Sequence, residues 1–458
     1  MVVTAQHVRT SLAFAAISGT LVAAALLHMR SAPTAEPPPI GQVDATTDDG
    51  MALTARLTTA KLLVGAHAQD IAISITAPGG HVQTRPPLSL AVVIDRSGSM
   101  HGIAMENAKT AAMRVIDQLD ADDAFTVVTF SSSSETVVPL SRATVAGKGA
   151  ARAAIARIFD DGGTCISCGI TRGVDELARS PISGGLRRMV MMSDGQANEG
   201  LWDRGELAQL AAQTAAKGVS ISTVGVGLDF DEVTMANLAS VGHGNYYFVE
   251  DTANLSTMFA HELGGLADTV ASDARLELTT GPGVSVIEAY GYPMVRRGDE
   301  TVIPIADLRA GETRKVVIRV MVAAPIGALD VAQVHLAWRR VADGSLRNAT
   351  TTASATVVDD PAQVAASVDH NAVRAAEQAQ TAHALEQATQ AYEKDGYDAA
   401  RKVMQQRADT LRANAAAIGD PKLIEQLTTE GDAMIQSIQA EPAKAKKAMR
   451  VKAYELAR

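Results

Sequence analysis

The sequence predicts an α/β protein: a doubly wound, mostly parallel sheet over residues 88–268, flanked by an antiparallel β domain and a C-terminal helical region. Three observations carry this expectation. Apolar runs alternate with helical patterns between 88 and 268, the layout of a parallel sheet covered on both faces. From about 272 to 360, short runs are separated by glycine and proline turns with no helix between them, an antiparallel layout. After Asp359-Asp360-Pro361 the chain becomes rich in Ala, Gln, Glu and Lys, punctuated by Gly396 and by Gly419-Asp420-Pro421.

The elements follow in chain order. Residues 1–30 contain an uncharged apolar run from Ser11 to Leu27, between Arg9 and Arg30. Its length suits a signal-peptide core or a short membrane span. No clean Ala-x-Ala site follows, so the expectation is an uncleaved signal anchor. That would export the body to the periplasmic or outer face of a bacterial-type cell envelope, with membrane contact through the N-terminal segment; cleavage would make the protein secreted. Residues 31–50, with Pro33, Pro37, Pro38 and Pro39, read as an extended linker. In 51–87, Ile71, Ile73 and Ile75 alternate with small or polar residues, so strands are expected, paired with the later β domain of 269–360.

Between 88 and 268, strands are expected at 88–94, 124–131, 187–193, 219–225 and 244–249. Helices are expected at 103–119, 146–159, 168–179, 204–216, 231–240 and 253–267, with Glu135 to Leu140 as an antiparallel edge strand. The β domain takes Ala274 to Thr280, Val302 to Ile305, Thr313 to Val322, Val331 to Trp338 and Thr350 to Val358. The tail, 361–458, reads as helices at 362–393, 396–417, 421–440 and 442–457, forming a hairpin or bundle that packs on the rest or, alternatively, a partner-binding tail. Lys444, Lys446, Lys447, Arg450 and Lys452 read as a solvated helix face.

At 458 residues the chain exceeds one ordinary core and implies two to three domains. Its 47% hydrophobic content suffices for buried cores, and with 3% aromatics the filling falls to Ala, Val and Leu. A net charge of −10 excludes a general nucleic-acid binder, which needs a basic stripe against phosphates.

The chemistry concentrates in Asp95-Arg96-Ser97-Gly98-Ser99, directly after the apolar run from Leu88 to Ile94. An aspartate and two hydroxyls at alternating positions past a buried strand form a hard oxygen site. Such donors suit Mg²⁺, Mn²⁺ or Ca²⁺ and do not suit soft metals. In a doubly wound sheet, ligands bind beyond the carboxyl ends of strands near a topological switch point, which is where Asp95 is expected.

The pattern Asp-x-Ser-x-Ser resembles the metal-ion-dependent adhesion site of von Willebrand factor type A domains. In that family a threonine from a Gly-rich loop and an aspartate after a later strand complete the site. Gly162-Gly163-Thr164 and the run from Arg188 to Asp194-Gly195 supply both here, in the family's order. The resemblance therefore implies Asp95, Ser97, Ser99, Thr164 and Asp194 as the metal residues. It extends over about 88–268, through Ser220 to Gly227 and Gly242 to Phe248, and the layout is similar to bacterial exported and inter-α-trypsin-inhibitor-like members. It implies hydroxyls at or near the metal and aspartates that supply charge and orient waters. An open position is left for an Asp or Glu carboxylate of a protein partner. Mg²⁺ is the expected ion, with Mn²⁺ or Ca²⁺ as alternatives. Arg96 reads either as a steering group for acidic partners or as a plain loop residue. Glu199 and Asp203 read as an acidic fringe or, at 203, as helix N-terminal charge.

Cys165 and Cys168 are the chain's two cysteines, in Cys-x-x-Cys spacing beside Thr164. Outside the cytosol a disulfide is expected, shaping the threonine loop and so tuning metal affinity. A thioredoxin-like role lacks its fold context, and zinc lacks further ligands. No enzyme is expected: there is no Gly-x-Ser-x-Gly elbow, phosphate loop or His-Glu-x-x-His motif, and His243 and His261 read as structural. The expected function is a cell-envelope protein-binding module acting in adhesion, surface assembly or scaffolding. The alternative is an adaptor of an ATPase chaperone or a metal-insertion complex.

Overall fold

The computed structural model describes residues 44–440 except 80–85, 183–184, 195, 227–230 and 250–267, together with positions 449, 452, 453 and 456. Four strands come first: β1 (Ala45–Thr46), β2 (Ala52–Leu57), β3 (Lys61–Leu63) and β4 (His67–Thr76). An alternating set follows: β5 (Leu88–Asp95), α1 (Ile103–Asp117), β6 (Ala124–Phe130), β7 (Ser134–Arg142), α2 (Val145–Ala156) and α3 (Ile166–Leu177). It continues through β8 (Leu186–Ser193), α4 (Arg204–Ala216), β9 (Val219–Val226), α5 (Glu232–Val241) and β10 (His243–Val249). Seven further strands are β11 (Thr269–Thr280), β12 (Val284–Ala289), β13 (Val295–Arg297), β14 (Glu300–Arg309), β15 (Thr313–Val322), β16 (Gly327–Arg340) and β17 (Leu346–Val358). The tail holds α6 (Pro361–Ala365), α7 (His370–Asp395), α8 (Tyr397–Ala413), α9 (Ala415–Ile418) and α10 (Pro421–Ala440).

The central sheet runs β10-β9-β8-β5-β6-β7. All neighbours are parallel except β7, which closes the edge antiparallel to β6. Every residue of β5 is buried, because both faces of the sheet are covered. The two-residue period of a strand sorts its side chains. Leu88, Leu90, Val92 and Ile94 pack with Met105, Ala108, Ala112 and Ile116 of α1 and with Ile155 of α2. Ala91 and Val93 face the other way, onto Ile166 and Ile170 of α3, Leu207 of α4 and Leu238 of α5. Each large apolar side chain so buried contributes roughly 1.5–3 kcal/mol before chain entropy is charged against it. From β5 the chain winds outward to β6 and β7, then returns to the opposite side of β5 as β8 and winds out again to β9 and β10. The winding reverses between β5 and β8, so a crevice opens at their carboxyl ends.

The other strands form two sheets, β1-β2-β4-β15-β12 and β13-β14-β11-β16-β17-β3. Leu53, Ile71, Ile73, Ile75, Val316 and Ile318 of the first meet Leu276, Leu278, Ile303, Val334, Leu336 and Trp338 of the second in one core. The alternation of Ile71, Ile73 and Ile75 is thus one inward face of β4. Because β4 pairs with β15 from Thr76↔Thr313 to His67↔Val322, segments on either side of the parallel-sheet domain share one sandwich.

The structure departs from the sequence expectations at several places. Ala45–Thr46, inside the expected linker, pairs with β2. Strands β12 and β13 have no counterpart in the expectation; β13 is fully exposed, so no alternation marks it. The helix expected from 362 is broken: Val368 bridges Thr59, and Asp369 caps a new helix by accepting from the N–H groups of Asn371 and Ala372. Expected helices at 253–267 and most of 442–457 lie outside the described residues, as do His261 and most of the basic cluster.

The membrane-anchored envelope location is corrected. Among the described residues no helix is long and apolar enough to cross a membrane. The run from Ser11 to Leu27 that suggested an anchor lies outside the described residues.

Candidate metal centre

The end of β5 delivers Asp95 to the crevice, and the end of β8 delivers Asp194 beside it. Asp95 is buried. Its Oδ1 accepts the backbone N–H of Ser97 at 2.8 Å, and its Oδ2 accepts a short bond from the Ser193 hydroxyl. Burial, with some help from the negative charge of Asp194, pushes its carboxyl up to about 6 against those hydrogen bonds. Ser97 Oγ lies 3.0 Å from Ser99 Oγ, and Ser99 Oγ donates to Asp194 Oδ1 at 2.9 Å. Four of the five residues implied by the motif are therefore joined in one hydrogen-bonded group.

Thr164 comes from the loop before α3. The Gly98 N–H donates to Gly162 O at 3.0 Å and the Asp161 N–H to Arg96 O at 2.7 Å, which staples this loop to the serine loop. The buried Thr164 N–H donates to Asn198 Oδ1 at 2.8 Å, and its carbonyl accepts the Asn198 N–H at 3.1 Å. Ser132 donates to Glu199 Oε1 at 2.9 Å and accepts the Gly163 N–H. Position 163 has to be glycine for this arrangement, since a Cβ there would stand 2.3 Å from Glu199 Oε1 and 2.9 Å from Asn198 Oδ1. Glu199 thus braces the threonine loop, while Asp203 caps α4 by accepting from Gly205 and Glu206. Arg96 lies over the Phe159 ring, 5.9 Å from its centroid.

Cys165 and Cys168 are joined by a disulfide at the start of α3, with Cα atoms 5.3 Å apart. Gly200 (φ 66) packs against it: a Cβ there would meet Cys165 Sγ at 2.5 Å. Ser193, Ser132 and Asn198 escaped the sequence reading. Ser193 and Asn198 flank the Asp194 motif, but nothing in their spacing distinguishes them from ordinary loop polar residues.

Among the described residues no group of three or more His, Cys, Asp or Glu side chains could hold a metal, so hydroxyls must share the work with carboxylates. Neighbouring ligands of an octahedral Mg²⁺ at roughly 2.0–2.1 Å stand about 3 Å from one another. The Ser97–Ser99 and Ser99–Asp194 oxygens, at 3.0 and 2.9 Å, have that spacing already, held by their own hydrogen bonds. A buried carboxylate raised by desolvation, beside a second carboxylate, also favours a cation. The residues fit.

Fold and sequence together define a von Willebrand factor type A domain: the chain matches that family over residues 89–261. Such domains are mostly non-enzymatic modules that often mediate protein–protein adhesion. Among curated relatives, the chain is 26% identical to YfbK of Escherichia coli (strain K12) across 48% of this chain and 38% of that one. It is also 26% identical to inter-alpha-trypsin inhibitor heavy chain H3 of Rattus norvegicus across 47% of this chain and 25% of the relative. The matches thus span well under two thirds of these relatives. Among solved structures, the von Willebrand factor type A protein from Catenulispora acidiphila shares the fold at TM-score 0.66 and 18% identity, over 90% of this chain and 98% of that one. The ArnB paralog VWA2 from Sulfolobus acidocaldarius does so at TM-score 0.58 and 14% identity, over 89% and 99%.

Proposed function

We propose that this chain is a protein-binding module that holds a divalent cation, Mg²⁺ foremost, at Asp95, Ser97, Ser99, Thr164 and Asp194, and uses it to grip an Asp or Glu carboxylate of a partner. One observation carries the reading: Ser97, Ser99 and Asp194 offer oxygens at octahedral spacing beside the buried carboxyl of Asp95. When bound, the cation supplies an electrophilic position that neutral hydroxyls and two carboxylates leave unsaturated. The chain's own residues do the positioning. Ser193 and the Ser97 N–H orient Asp95, and Asn198 and Glu199 hold the threonine loop. The disulfide fixes the start of α3 next to Thr164 and so tunes affinity for the ion.

The test is calorimetric titration with Mg²⁺, Mn²⁺ and Ca²⁺, then partner capture in Mg²⁺ and in EDTA. Saturable binding at one site, lost in Asp95→Ala, with a partner retained in Mg²⁺ alone, is the expected result. A partner held equally in Mg²⁺, in EDTA and by the variant would move recognition elsewhere on the chain.

A further inference from the structure

The sequence is poor in aromatics, with two Trp and seven Phe in 458 residues. One tryptophan, Trp338, fills the sandwich core. Among the described residues the exposed aromatic side chains are Phe159 (70% exposed) and Trp202 (67%), and both lie on loops that carry candidate metal residues. Phe159 precedes Thr164 by five residues, and Trp202 follows Asp194 by eight. Ile103, 80% exposed, follows Ser99 by four. Two loops and the first turn of α1 thus each present a large apolar side chain to solvent next to candidate metal residues. Single exposed apolar side chains are ordinary, but a tryptophan, a phenylalanine and an isoleucine next to the candidate metal residues are the kind of anchors in which protein interfaces concentrate their binding energy.

A cavity of about 440 Å³ adjoins this rim, lined in part by Cys168, Arg172, Asp175, Leu201 and Leu210. It is tied to the metal loops through the disulfide and through the Leu201 N–H, which donates to Ser167 Oγ at 3.0 Å. Leu201 stands at its wall beside Trp202. The volume suits one large side chain with room to spare. Two cations flank the surface, Arg96 over Phe159 and Arg172 in the cavity, and neither takes part in an ion pair among the described residues. Asp175 shares the cavity with Arg172, and Asp160, Asp161 and Glu199 lie on the same loops, so the two arginines do not make the surface basic.

We propose that this rim selects the partner. It takes a protein segment whose acidic residue is flanked by large apolar side chains, one seated on Trp202 and Leu201 at the cavity mouth and the other on Phe159 and Ile103. This rests on the cation-dependent carboxylate reading above. The cation of the proposed function, with Arg96 beside it, selects the segment's acidity, and the exposed anchors select its flanks.

The test uses the full chain and three synthetic heptapeptides in Mg²⁺: a central aspartate flanked by phenylalanine and leucine, the same peptide with asparagine at the centre, and the aspartate peptide with glycine flanks. Binding is followed by calorimetry and by tryptophan emission, where a change reports Trp202 because Trp338 is buried. The apolar-flanked aspartate peptide should bind at least about tenfold tighter than the glycine-flanked one. Trp202→Ala and Phe159→Ser should erase that advantage without altering Mg²⁺ affinity or the affinity for the glycine-flanked peptide. Equal affinity of the two aspartate peptides, or an advantage that survives both substitutions, would overturn the rim proposal while leaving the carboxylate reading intact. An asparagine peptide that binds as well as its aspartate counterpart, or binding unaffected by EDTA, would overturn both.

Discussion

Ser193 Oγ and the Ser97 N–H each occupy one oxygen of Asp95, so this carboxylate is aimed before any ion arrives. Pre-aiming of this kind has a measurable weight. Ser193→Ala removes the donor on Oδ2 and should weaken Mg²⁺ binding by about 10–100-fold, the usual cost of losing an outer-layer partner. Asp95→Ala should lose more than that in the same titration. A Ser193→Ala protein with unaltered affinity would mean that burial alone positions Asp95. The disulfide acts on Thr164 through one backbone link. Reduction, or Cys165→Ser with Cys168→Ser, should weaken Mg²⁺ by less than about tenfold. An affinity indifferent to reduction would limit the bridge to local shape.

At the scale of elements, α3 joins the sheet to the centre. It lies close on the sheet because two of its sheet-facing positions, between Ile166, Ile170 and Leu177, are glycines: a Cβ on Gly169 would stand 2.6 Å from the Phe130 ring, and one on Gly173 would stand 2.7 Å from Met189 Cε. Helix propensity alone favours alanine over glycine by about 1 kcal/mol. Overpacking a closed site costs about 1–3 kcal/mol. Gly169→Ala should therefore lower Tm, and should weaken Mg²⁺ with it, since lifting α3 moves the loop that carries Thr164. A raised Tm would show that the helix has slack. A second junction joins β8 to the sandwich through the ion pair of Arg188 with Asp307. Nearby, Asp273 sits at φ 55 in β11, and burial, then the charge of Asp307, raises its carboxyl above the ordinary value of 3.8. A raised carboxyl favours the folded state below its ordinary pKa, and that contribution is lost as pH climbs through the raised value. Asp273→Asn tolerates the left-handed backbone. Its Tm relative to the parent protein should thus rise from about pH 4 toward neutrality by scanning calorimetry. A variant Tm that falls relative to the parent's over that range would reverse the assignment.

Across the whole molecule, the described residues of the helical tail are held to the sandwich. Ala375, Ala376 and Ala379 of α7 pack on Tyr290 and Val317, and Gln380 donates to Asp70 at 2.8 Å, where Arg319 also binds. Within the tail, Arg407 pairs with Glu377 and donates to Thr381 Oγ1 at 3.0 Å and Gln380 Oε1 at 3.1 Å. Both partners are buried, so Arg407→Ala should cost about 3–5 kcal/mol through the carboxylate it strands. Chemical denaturation should register that loss while Mg²⁺ titration does not change. A parallel fall in metal affinity would reveal coupling between the tail and the centre.

The fold class was open to reading because periodicity is local. The unbroken apolar run of β5 announces a strand buried on both faces, and the inward isoleucines of β4 announce one buried on a single face. Asp95 and Asp194 could be placed at strand ends for the same reason: the apolar runs stop just before them. Strand β13, fully exposed, has no such pattern to read, and the break before α7 depends on a bridge from Val368 to Thr59, more than 300 residues away. Only the tertiary structure decided that Ser193 would aim Asp95 and that Asn198 and Glu199 would hold the threonine loop. Residue type and spacing specify which donors a chain carries. Which donors meet is settled by the winding reversal between β5 and β8, because hydrogen bonds and apolar contacts form between neighbours in space.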